Sequence, residues 1–190
     1  MLNDLLSIVA SYLGLDEVSQ YIDAVNIDET PENKPEVLDF LISLVNLTMR
    51  QITRDYMPLY KEEILCSDEN CQINYSDFST APVQIKSVSY LDGISSTFRC
   101  FPSYIKVGYQ NKKYLVKYSY TPSSVSDLDS EIEMPFGLKI ETICFGVCYE
   151  YCISNELYSE ADIWEERFKN SLLNDINGKR AKSVPIRGWV

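Results

Sequence analysis

The sequence predicts an α+β protein: a bundle of about four main helices, an inserted antiparallel β-rich subdomain and an extended C-terminal arm. Three observations predict it. Apolar residues recur at helical spacing up to residue 58 and again over 134–177. Between 59 and 120 the period falls to two, the signature of half-buried strands. Beyond Gly178 there is no core-forming period, only a basic segment ending Ile186-Arg187-Gly188-Trp189-Val190. The bundle is therefore assigned to 1–58 with 134–177, the insertion to 59–133 and the arm to 178–190.

Each element follows from local chemistry. Leu2, Leu5, Leu6 and Val9 share a helical face over 2–13, and Gly14 suits the residue after a helix end. A second helix over 18–25 runs into a polar loop with Pro31 and Pro35. Pro35 and Glu36 then suit the first turn of a third helix, whose stripe is Val37, Leu38, Leu41, Leu44, Val45, Thr48 and Ile52 and which ends at Pro58. Strands are expected at 60–66 and 71–75 around the turn 67–70, and at 83–91 before Asp92-Gly93. Two more flank Pro102 at 97–101 and 104–109, and the last spans 114–120, with Tyr114, Val116, Tyr118 and Tyr120 on one face. A meander or small sandwich is implied. An acidic loop over 127–133 leads back to a helix opened by Pro135, with Phe136, Ile140, Ile143, Cys144, Val147, Cys148 and Tyr151 as its stripe. The final helix starts at Ser159, with Asp162 completing an approximate capping box, and buries Trp164, Phe168, Leu172 and Ile176.

Composition narrows the function classes. The chain has 190 residues, 45% of them hydrophobic, enough for a sizeable core. Its apolar runs fall far short of the ~20 residues that cross a bilayer. Met1 leads straight into an amphipathic pattern, so a soluble protein made in the cytosol, with no membrane partner, is expected. There is no histidine, which removes the commonest general base and metal ligand. Net charge is −11, unevenly placed: the arm holds Lys179, Arg180, Lys182 and Arg187 and no acid, leaving 13 basic against 28 acidic residues before it. An acidic body does not grip nucleic acid through its phosphates.

The candidate constellations point away from catalysis. Cys144, Cys148 and Cys152 fall on one helix face and suggest either a thiolate metal site, with Cys100 as a fourth ligand, or small side chains for close helix packing. A helix spreads positions i and i+8 by about 12 Å, too far for one coordination shell, which favours packing. Cys66 and Cys71 flank a turn and could stand within disulfide reach, although reduced thiols suit a cytosolic chain. The carboxylate pairs lie in turns or on solvated faces, and no phosphate-binding glycine motif or nucleophile elbow occurs. No cofactor, metal or enzymatic activity is expected. The tyrosines of the β segment could stack single-stranded nucleic acid, but its lysines are scattered. Tyr104, Tyr109, Tyr114 and Tyr118 are therefore assigned to a protein interface. The basic tail, with a terminal Trp beside Arg, makes a good anchor on another chain, the other reading being a frayed end or a tail folded back on its own bundle.

Taken in order, these parts resemble the head-to-tail connector (adaptor) proteins of tailed bacteriophages. The likeness is carried by the helix over 35–56 with its exit Met57-Pro58-Leu59-Tyr60, and by Tyr114-Leu115-Val116-Lys117-Tyr118-Ser119-Tyr120-Thr121-Pro122. It continues through Met134-Pro135 into 140–151, then 161–173 with Phe168, and the ending Pro185-Ile186-Arg187-Gly188-Trp189-Val190. The resemblance implies a structural virion protein forming a ring, commonly of twelve copies, in the phage neck between portal and tail. Such a ring extends the DNA channel, lets the genome pass without sequence-specific binding and offers a docking surface to tail or further neck proteins. It also implies a portal-binding role for Arg180, Lys182, Ile186, Arg187 and Trp189. The β insertion is longer than in the all-helical members. The competing reading is a monomeric, non-virion protein-binding module that uses the tyrosine-rich sheet.

Overall fold

The computed structural model describes residues 2–27 and 34–178. The fold is α+β, with five α-helices among the described residues and two small antiparallel sheets. The chain divides into two compact units, Met1–Gln51 with Ser124–Val190, and Ile52–Ser123.

The first unit holds α1 (Leu2–Leu13), α2 (Asp16–Asn26), α3 (Glu36–Gln51), α4 (Ile140–Ser154) and α5 (Tyr158–Gly178). α1 ends at Gly14, whose φ of +66° allows the Leu15 N–H to reach the Ala10 carbonyl. α4 lies at the centre, packed by α1, α3 and α5. That position explains why α4 is apolar on nearly every side, with Thr142, Ile143, Cys144, Gly146, Val147, Cys148 and Cys152 all buried. Gly146 is the tightest point. A Cβ there would lie 2.5 Å from the Thr48 methyl of α3 and 3.1 Å from the Phe168 ring of α5. A side chain at 146 would force both neighbours apart.

Two expectations for this unit are corrected. α4 begins at Ile140, not at Pro135, because Gly137 takes a φ of +81° and the Leu138 N–H closes a turn on the Pro135 carbonyl. Phe136 is consequently 88% exposed instead of lining the core. The return from the β segment also comes earlier, at 123/124 instead of 133/134. Asn46 of α3 brackets Val125, donating to its carbonyl and accepting its N–H, both at 2.9 Å, while Val125 and Ile132 are buried. Val125, just before the acidic loop, and Ile132 within it thus belong to the core of the helical unit.

The second unit opens with a π-helical turn (Ile52–Tyr56), whose Met57 N–H bonds to the Ile52 carbonyl at 2.8 Å before Pro58 ends it. Six strands follow: β1 (Leu59–Cys66), β2 (Gln72–Asn74), β3 (Pro82–Tyr90), β4 (Arg99–Cys100), β5 (Tyr104–Lys106) and β6 (Lys113–Tyr120). They form two sheets, in the orders β1-β6-β3 and β2-β5-β4, all neighbours antiparallel. Ile73, Phe78, Val88, Ile105, Val107, Tyr114, Val116 and Tyr118 make one core drawn from both sheets. The expected hairpin of 60–66 with 71–75 does not form: β1 pairs with β6, and β2 with β5. The Asp68 carboxylate accepts the N–H groups of Asn70 and Gln72, turning the chain from one sheet into the other. Cys66 stands opposite Lys113, so Cys66 and Cys71 are not cross-strand neighbours. Within this unit Leu59 pairs with Tyr120, so the strand that begins it and the strand that ends it lie side by side. Among the described residues, no helix is long and apolar enough to cross a membrane.

Candidate functional site

The four tyrosines assigned to an interface separate into two pairs. Tyr114 and Tyr118 are fully buried, because they occupy the inward positions of β6, the central strand of its sheet. This corrects their assignment. The Tyr114 hydroxyl donates to the Tyr109 carbonyl at 3.1 Å and accepts the Tyr109 N–H at 2.9 Å, so it fixes the loop between β5 and β6. The Tyr118 ring meets Phe78 edge to face at 4.9 Å. Tyr104 and Tyr109 do reach the surface. Tyr104 is half-buried and stacks on Phe101 at 4.8 Å, while Tyr109 is exposed beneath the Lys112 ammonium, 4.9 Å from the ring centre.

The sheet β2-β5-β4 carries a feature that the sequence reading passed over. The Phe101 N–H bonds to the Tyr104 carbonyl at 2.8 Å, closing the turn at Pro102, and the register then sets Arg99 opposite Lys106. Both side chains are exposed. They border a groove of about 510 Å³, lined also by Thr97, Phe98, Phe101, Val107 and Gly108. Two adjacent cations over aromatic walls suit an anionic group with an apolar neighbour.

The edge strand β1 of the other sheet carries a half-buried carboxylate. Glu63 lies on the inward face of β1 and accepts the backbone N–H of Ser79 at 3.1 Å, the Ser79 hydroxyl, and the Lys61 ammonium at 3.2 Å. Burial opposes its ionisation, but the Ser79 bonds and Lys61 outweigh it and hold the carboxyl at about 2. Burial pushes the Tyr118 phenol upward, and proximity to Glu63 adds to this; its hydroxyl meets no partner in hydrogen-bond geometry. Glu63 is thus a fixed anion.

In the helical unit the buried Asp175 does comparable work. Its Oδ2 accepts the Lys139 N–H at 3.1 Å and the Thr142 hydroxyl at 2.6 Å, capping the start of α4 from the last turns of α5. Thr142 and Ser171 share a further bond at 2.6 Å. Asp175 follows Phe168 by seven residues, so its place on the inner face could have been read from the spacing. Burial drives the Cys144 thiol up to about 12 and raises those of Cys148 and Cys152, leaving all three as unreactive packing groups. Other acids hold the surface together: Glu62 pairs with Lys117 at 2.9 Å and Glu165 with Lys169 at 2.7 Å. What these groups can do chemically is bind and position.

No family model and no curated protein matches the chain. Arg180, Lys182, Ile186, Arg187 and Trp189 lie outside the described residues.

Proposed function

We propose that this chain is a structural subunit of an adaptor ring in the neck of a tailed phage, placed between portal and tail. The observation that carries the reading is the partition of charge between the units. Residues 1–51 and 124–178 hold 5 basic and 21 acidic side chains, net −16; residues 52–123 hold eight basic and seven acidic, net +1; the arm adds +4. A strongly acidic helical wall, repeated around a ring, repels the phosphates of a passing genome. The basic arm then serves an acidic or apolar surface on the portal and not the DNA. The segments that carry the family resemblance support this, since α3, α4 and α5 belong to one helical unit with Phe168 in its core.

The ring, its portal and tail partners and its site in the virion stand together in one test. Mass measurement of purified virions should find a fixed copy number of this chain, and deleting 178–190 should abolish portal binding while the helical content stays unchanged. Absence from virions would sink the neck assignment and favour the monomeric binding module. Portal binding that survives the deletion would remove the role given to Arg180, Lys182, Ile186, Arg187 and Trp189.

A further inference from the structure

Arg99 and Lys106 face each other directly across β4 and β5, about 5 Å apart at their Cα atoms in such a pair. Like charges in that position destabilise a sheet. No carboxylate among the described residues pairs with either one. Elsewhere on the same unit Lys61 is matched by Glu63 and Lys117 by Glu62. The repulsion is relieved when an anion sits between the two, and the Phe98 and Phe101 walls of the groove strengthen that attraction by excluding water.

A matching element exists on the helical unit. In the loop 127–131, Asp127, Asp129 and Glu131 are all exposed, and none of the three pairs with a cation among the described residues. Leu128 lies half-exposed between the first two, giving an apolar side chain where the groove has aromatic rings. We propose that the groove bearing Arg99 and Lys106 receives the loop 127–131 of a second copy of this chain, a heterologous contact of the kind that closes rings. The proposal rests on the ring reading above and names its subunit contact. Duplex DNA is the weaker occupant, because two cations on a unit of net charge +1 neutralise too few phosphates to hold it.

Charge reversal tests this with the full chain. One variant carries Arg99→Glu with Lys106→Glu, the other Asp127→Lys with Asp129→Lys, and assembly is followed by sedimentation and native mass spectrometry. Each variant alone should lose self-association at least tenfold, while an equimolar mixture should recover it, since every reversed groove then meets a reversed loop. All the altered side chains are exposed and the groove variant keeps a like-charge pair, so thermal melting should stay near the wild-type value. Wild-type assembly by both variants would overturn this contact and leave the ring reading standing. A wild-type chain that stays monomeric at every concentration would overturn the contact; only its absence from virions as well would overturn the ring. A duplex DNA shift abolished by the groove variant, with assembly unaffected, would assign the groove to nucleic acid and overturn the proposal.

Discussion

The helical and β units bury comparable kinds of residue but handle charge in opposite ways. In the helical unit the core is largely aliphatic, Asp175 is the one buried carboxylate among the described residues, and the sequence carries a net charge of −16. In the β unit Phe78, Tyr114 and Tyr118 join an otherwise aliphatic core, charge nearly balances, and Glu63 is held within a web of donors behind Tyr118. An acidic exterior keeps a repeated wall away from phosphate, whereas a balanced one can approach another acidic surface without a large repulsion. The difference lies in where charge is placed: the helical unit carries a strong net negative charge and the β unit almost none.

Three substitutions sharpen that contrast, the largest effect first. Gly146→Ala should cost the helical unit about 1–3 kcal/mol, because its Cβ would press on Thr48 and Phe168. Trp164 in α5 reports on that unit, so the denaturation midpoint seen by tryptophan fluorescence should fall while hydrogen exchange in β6 stays as in wild type. Equal loss in both units would show that they unfold as one. Glu63→Gln should cost the β unit about 1–2 kcal/mol at neutral pH by weakening charge-assisted bonds. The sign follows from the depressed carboxyl: its contribution is complete above the ordinary value of 4.5 and is lost as pH falls toward about 2. Wild type and variant should therefore converge in acid-denaturation curves, and a gap constant down to pH 2 would disprove the ionised network. Tyr118→Phe should change stability by no more than about 0.5 kcal/mol, since the hydroxyl it removes has no hydrogen-bond partner. A large loss in thermal melting would show that the hydroxyl is bonded to Glu63 after all.

Legibility in the sequence followed locality. The helix over 2–13, the change of period near 59 and the inward face of β6 are written in neighbouring residues and found in the structure. The third helix, expected from 35 to about 55, is found with its last turn, Ile52–Tyr56, π-helical. Strand pairing is not local. Nothing near Cys66 says that β1 will pair with β6 instead of β2, because that choice depends on the core shared by two sheets. The same blindness misplaced Tyr114 and Tyr118: a tyrosine facing a partner and one facing a second sheet have the same alternating pattern. The Arg99–Lys106 pair was within reach, since a turn at Pro102 with residue 101 opposite 104 fixes 99 opposite 106 by counting. Phe136 was lost to a single glycine, Gly137, whose positive φ delays the helix.

The pairing of Leu59 with Tyr120 bears on how such a protein can change over time. A segment whose two ends meet at adjacent strand positions is topologically a long ornament on a short hairpin. Lengthening, trimming or exchanging it leaves the distance between its ends unaltered, and loop-closure entropy rises only slowly with the residues inserted. The β unit can thus change in length without moving apart the two strand positions at which it begins and ends. Variation in chain length among proteins built on this plan should collect between those two residues.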